Sequence, residues 1–140
     1  MKKLYPLLSV LFLISLPLLL MVGCNQTSKV YTEDDLNFNE STKTYSLKFS
    51  NEIPNGDFFQ VFGDKKVFNG KIKNGRRDGL WTVWYENGQK IIERTYKDGI
   101  FNGLFTLWYE NGQKNFEGTH KDGKRDGLWT IWYENGQKKI

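Results

Sequence analysis

The sequence predicts an all-β protein, an elongated single-layer antiparallel meander of tandem β-hairpins that follows a signal peptide and a polar tether. Three observations lead there. The heptapeptide Trp-Tyr-Glu-Asn-Gly-Gln-Lys stands at 84–90, 108–114 and 132–138, an interval of 24 residues, and self-similarity at a fixed period of roughly 20 to 50 residues marks a repeat architecture. Each copy sets Asn-Gly between two runs rich in Trp, Tyr, Thr and β-branched residues, the strongest short-range signal for a hairpin. Beyond the N-terminal apolar run no segment carries a 3.6-residue apolar period, so no substantial helix is expected.

The N-terminus reads as a separate element. Met1-Lys2-Lys3 gives a short positive end, residues 4–22 carry no charge, and Gly23-Cys24 follows at once. That is the order of a secretory signal spanning 1–23, and Pro6 and Pro17 make the run a poor continuous membrane-spanning helix. The stretch Met21-Val22-Gly23-Cys24 resembles a bacterial lipoprotein box, which implies cleavage between Gly23 and Cys24, diacylglycerol on the Cys24 thiol and acylation of the new amine. Cys24 is the single cysteine. In an oxidising, exported compartment a lone thiol forms no internal disulfide and is a liability that lipidation removes. More than one acyl chain on one residue also gives lasting attachment. The expectation is an exported lipoprotein of the cell envelope, on the outer leaflet of the cytoplasmic membrane or on the outer membrane. Removing 1–23 removes Lys2 and Lys3 and no acid, taking the net charge from +4 to +2. So small an excess, with no dense basic stripe, does not point to nucleic acid.

Residues 24–43 are polar, with Glu33-Asp34-Asp35 and Ser41-Thr42, and are expected to be the lipidated end and a flexible tether. Tyr45, Leu47 and Phe49 alternate with Ser46, Lys48 and Ser50, a strand signal that opens the repeat domain at residue 44. A worn copy of the unit occupies about 55–74, and clear copies fill 75–98, 99–122 and 123–140, the last ending soon after its turn.

The units Asp78-Gly79-Leu80-Trp81-Thr82-Val83-Trp84-Tyr85, Asn102-Gly103-Leu104-Phe105-Thr106-Leu107-Trp108-Tyr109 and Asp126-Gly127-Leu128-Trp129-Thr130-Ile131-Trp132-Tyr133 resemble the bacterial variant of the MORN repeat, over about residues 55–140. The resemblance implies a hairpin meander that binds or spaces partners, sometimes at membranes. Many bacterial members are described as antitoxins of toxin–antitoxin pairs, which implies toxin neutralisation as one alternative role.

Taking Asn87-Gly88 as a two-residue type I′ turn sets the register: Tyr85 faces Lys90, Trp84 faces Ile91, Val83 faces Ile92 and Trp81 faces Arg94. One face then holds Trp81, Val83, Tyr85, Ile92 and Tyr96, and in the next copies Phe105, Leu107, Tyr109, Phe116 and His120, then Trp129, Ile131, Tyr133 and Ile140. This face is the expected core. On the other face the partner of the repeated Trp drifts from Ile91 to Asn115 to Lys139, so that face is read as partly wet. Trp84, Trp108 and Trp132 form a ladder there, two strands apart and hence spaced by roughly 10 Å. They are the candidate binding surface. As a row of platforms the ladder suits a protein or envelope partner, or cell-wall sugars or a choline-type ammonium group; as scaffold it covers a single-layer sheet.

The basic pairs in Gly75-Arg76-Arg77-Asp78-Gly79 and Gly123-Lys124-Arg125-Asp126-Gly127 read as solvated connections, since the middle connection Gly99-Ile100-Phe101-Asn102-Gly103 has none. The Asp-Gly pairs lack the dense, regularly spaced acids of calcium loops, so no metal or cofactor is expected. His120 takes the slot of Tyr96 and reads as a packing residue. No serine or cysteine nucleophile has a partner, and every acid that could act as an acid–base pair recurs as a repeat residue, so no enzyme is expected.

Overall fold

The computed structural model describes residues 28–139; the signal, Gly23, Cys24 and Ile140 lie outside them. Within them are ten strands and no helix: β1 (Lys29–Tyr31), β2 (Leu36–Asn39), β3 (Thr44–Leu47), β4 (Gly56–Phe62), β5 (Lys65–Lys73), β6 (Arg76–Trp84), β7 (Lys90–Lys97), β8 (Ile100–Trp108), β9 (Lys114–Lys121) and β10 (Lys124–Ile131). β4 to β10 pair antiparallel in chain order, the expected meander. β1 adds a parallel strand against β4, and β2–β3 form a separate two-stranded sheet. Gly56 permits the close approach of β1, because a Cβ there would stand 2.0 Å from the Lys29 carbonyl oxygen.

The turns exchange the roles expected of them. At the Asn-Gly tips, the Tyr85 N–H donates to the Gln89 carbonyl at 2.8 Å and the Gly88 N–H to the Tyr85 carbonyl at 3.0 Å, enclosing three residues rather than two. Of Asn87 and Gly88, only Gly88 has positive φ, at 84°. This is a type I turn with a glycine bulge, and Asn87 is useful for its side chain: its Oδ1 accepts the Gln89 N–H at 2.9 Å. Asn111 and Asn135 do the same for Gln113 and Gln137. Two-residue turns with positive φ at both positions occur instead between units, at Asn74-Gly75, Asp98-Gly99 and Asp122-Gly123. The basic pairs therefore do not sit in loops: Arg76 and Arg77 already belong to β6.

The longer tip moves the pairing by one residue, and Trp84 faces Lys90. Ile91 is then squeezed out as a bulge, so that Val83 faces Ile92 and Trp81 faces Arg94 after all. Trp108 likewise faces Lys114, and Trp132 bridges to Lys138. The drifting series Ile91, Asn115 and Lys139 does not face the tryptophans. Their partner is Lys every time, which corrects the ground on which that face was read as wet. Tyr85, Tyr109 and Tyr133 are corrected too: at the hairpin ends they are half-buried or exposed, not core.

The core itself lies on the face predicted for it, but it is completed by a segment ahead of the repeats, in which Tyr31 and Leu36 were expected to be tether and Tyr45 to open the domain. Tyr31, Leu36 and Tyr45 from β1 to β3 pack with Phe58, Ile72, Trp81 and Tyr96 in one buried cluster. Tyr45 stacks on Trp81 with ring centroids 6.2 Å apart and 8° between planes. The β2–β3 hairpin is tied down by the Tyr45 N–H donating to the Gly75 carbonyl at 2.6 Å. Composition hid this because apolar residues are few in 24–43; Tyr31 on β1 and Leu36 and Phe38, at strand spacing on β2, suffice to cover rings of the first units.

Candidate binding surfaces

On the ladder face the tryptophans alternate with lysines strand by strand. Lys90 Nζ lies 5.9 Å from the Trp84 ring centre and 5.4 Å from that of Trp108, and Lys114 Nζ lies 5.7 Å from that of Trp132. Each ammonium is held in turn by a carboxylate, Lys90 by Glu93 and Lys114 by Glu117. Thr82 and Thr106 sit beneath these pairs and donate to Glu93 and Glu117 at 3.4 Å; Thr106, at 1 % exposure, is among the most enclosed side chains. Trp84 is further fixed by its indole N–H, which donates to the Phe68 carbonyl at 3.1 Å. The gaps between Trp84, Trp108 and Trp132 are thus filled from within the chain by cation–π contacts. What remains open on this face is a row one step away, Leu80, Leu104 and Leu128, exposed to 52 %, 49 % and 95 %.

The opposite, core-bearing face holds three arginines among aromatic rings. Arg77 Nε donates to the Tyr45 hydroxyl at 2.8 Å and Nη1 to that of Tyr96 at 2.9 Å. Its guanidinium carbon lies 5.0 Å from the Phe38 and Trp81 ring centres. Burial works against the Arg77 charge, but the two phenol oxygens more than offset it and hold the guanidinium above its ordinary value. Arg94 lies over Phe101 and Phe105, and Arg125 over Trp129 at 4.7 Å. Burial, then the Arg125 and Arg94 charges, push the nearby His120 imidazole below its ordinary value.

A pattern of paired exchanges runs through this face. Trp81 lies across Gly70, where a Cβ would meet its ring at 2.6 Å, and Trp129 lies across Gly118, where the distance would be 2.1 Å. In the unit between them both partners differ: Phe105 replaces Trp and faces Arg94 in place of Gly. The smaller ring leaves room for a side chain that brings charge. Two clefts meet at the arginines, one of about 350 Å³ between the β2–β3 hairpin and the sheet, the other of about 320 Å³ beside the Gly99 and Gly123 turns. Phe38, Arg77, Arg94 and Tyr96 line both.

Sequence reasoning singled out the tryptophans and left the arginines as solvated charge. The usable signal was the alignment of the copies: positions 70, 94 and 118 read Gly, Arg and Gly, while 81, 105 and 129 read Trp, Phe and Trp. Among the described residues no His, Cys, Asp and Glu group is arranged to hold a metal.

The fold and these surfaces define a tandem hairpin-repeat module with a covered and an open half. Residues 77–98, 101–122 and 125–140 each match the MORN repeat variant, and the matches begin at Arg77, Phe101 and Arg125, equivalent positions of β6, β8 and β10. No curated protein and no solved structure matches the chain. Repeats of this kind generally serve as protein- or membrane-binding modules rather than enzymes.

Proposed function

We propose that the chain is a non-catalytic lipoprotein of the cell envelope, anchored through Cys24, that binds a protein partner with the broad faces of its repeat sheet. The observation that carries the binding role is the exposed row Leu80, Leu104 and Leu128, repeated in register on a face that no other element among the described residues covers; apolar rows of that kind mark interaction sites. The anchor rests on the residues around Cys24 and the physical need to mask a lone exported thiol. The ladder joins this surface as its rigid floor. Lys90 and Lys114 already lie over the indole rings, so a choline-type cation would have to displace them, and that reading falls behind a protein partner.

Two measurements test the proposal. Radiolabelled palmitate should enter the wild-type chain and not C24A. Capture from native membranes with Cys24 intact should recover a partner that is lost when Leu80, Leu104 and Leu128 are changed to Ser; a partner kept by that variant, with its fold intact by circular dichroism, would place binding elsewhere. The Trp84, Trp108 and Trp132 triple alanine variant, folded and still holding every partner, would leave the ladder as scaffold alone.

A further inference from the structure

We propose that the arginine–aromatic face, from the Arg77–Arg94 junction of the two clefts across to Arg125, is a docking site for an extended acidic segment of a protein partner, with carboxylates as the groups recognised. This deepens the reading of the chain as a protein-binding module and rests on it. The chemistry starts from what the arginines lack. Among the described residues none of Arg77, Arg94 and Arg125 makes a salt bridge, although five other ion pairs form in the same region of chain. Arg94 Nε is buried and has no hydrogen-bond partner, a costly state for an ionised donor. Rings hold the Arg94 and Arg125 guanidiniums in place without taking their N–H donors, whereas Arg77 gives Nε and Nη1 to the Tyr45 and Tyr96 hydroxyls; Arg94 and Arg125 thus keep a planar fork of the kind that matches a carboxylate.

The arrangement also selects among anions. Phe101 and Phe105 around Arg94 make the setting apolar, so a carboxylate carried on an aliphatic stem is better matched than a fully hydrated ion. Glu33 lines the first cleft and Glu40 the second, where it pairs with Lys43; these acids at the rim disfavour a dianion. Spacing adds a further constraint. Arg94 is on β7 and Arg125 on β10, three strands apart and therefore roughly 14 Å at ordinary strand spacing. In an extended peptide, side chains four residues apart share a face and are separated by roughly 13 Å. The site therefore takes acids at positions i and i+4 of a strand laid across the sheet.

The test uses the full-length chain and the peptide Thr-Glu-Val-Thr-Val-Glu-Thr, with binding followed by tryptophan fluorescence. Two controls accompany it: the same peptide with both Glu changed to Gln, and an isomer with its two Glu adjacent. Binding of the i, i+4 peptide is expected to be about tenfold tighter than the Gln peptide and several-fold tighter than the isomer, as suits one or two charge-assisted pairs. R94Q should abolish the difference from the Gln peptide, and R94K should restore part of it. R125Q changes an exposed residue, so its fold is secure; it should reduce the i, i+4 peptide to the level of the isomer. Equal binding of the Glu and Gln peptides, indifference to R125Q, or tighter binding to inorganic phosphate or to phosphatidylglycerol vesicles than to the peptide would each overturn the proposal. If a membrane partner is captured and neither R94Q nor R125Q releases it, the module stands and this site falls.

Discussion

Trp81 on β6 and Trp129 on β10 hold equivalent positions two units apart, yet Trp81 is 5 % exposed and its indole N–H donates to the Lys71 carbonyl at 3.0 Å, whereas Trp129 is half-buried and its enclosed N–H has no partner. The local sequences are nearly the same. The difference in exposure comes from the β2–β3 hairpin, which lays Tyr45 on Trp81; among the described residues no such hairpin lies over Trp129. A repeat thus supplies strands, turns and a face of rings, and whether that face becomes core or surface is decided by a segment outside the repeat.

Substitution of the two tryptophans offers the largest effect by which this contrast can be broken. Trp81→Ala should cost about 3–5 kcal/mol, the range for a large aromatic removed from a packed site, and Trp129→Ala about 1–2 kcal/mol. Urea denaturation measures both, and equal losses would mean that the hairpin adds little to the core. Glycine substitutions sharpen the point because geometry alone ranks them the other way. The Cβ of Gly118→Ala would come nearer its ring, at 2.1 Å, than that of Gly70→Ala, at 2.6 Å. Trp129 packs on Phe105, Phe116 and His120 but is only half-buried, which leaves it more room to yield than Trp81, buried between Tyr45 and Phe58. Gly70→Ala should therefore cost about 1–3 kcal/mol and Gly118→Ala less than about 1 kcal/mol; a reversed order would show that Trp129 is as fixed as Trp81.

The smallest effect concerns His120, which stands on the open half where Tyr96 stands on the covered half. Burial first, and then Arg125 and Arg94, hold its imidazole below 6.5, so the unfolded chain takes up the proton more readily than the fold does. Stability from the neutral ring is intact above 6.5 and is lost as pH falls through that value towards the lower folded one. His120→Tyr should flatten that part of the pH profile in urea midpoints; an unchanged profile would assign it to the carboxylates.

The repeat, its hairpins, the absence of helix from the described residues and the face bearing Trp81, Ile92 and Tyr96 were legible because periodicity and side-chain alternation depend only on local sequence. Turn type was not: Asn-Gly and Asp-Gly serve either kind of tight turn, and the choice falls to whether Asn or Asp takes the left-handed conformation or accepts a hydrogen bond from two residues on. The ladder's lysines were hidden by that single-residue error. The packing of β2–β3 was invisible for a different reason, since a contact between distant segments leaves no period to read. Arg77 was misjudged with it, because its burial depends on Phe38 and Tyr45 from that same hairpin.

The Gly70–Trp81 and Gly118–Trp129 contacts and the Arg94–Phe105 pair all reach across the turn between units, never across the Asn-Gly tip. The segment that can be copied or transplanted without parting these three pairs is therefore cut at the tips, for instance 88–111, and not at the Asp-Gly boundaries where the written repeat begins. An array lengthened by such pieces keeps each ring with the small or charged neighbour that matches it. One lengthened at the Asp-Gly boundaries would, across the turn between units, set Trp against Arg where Arg94 now meets Phe105, or Phe against Gly where Gly118 now meets Trp129.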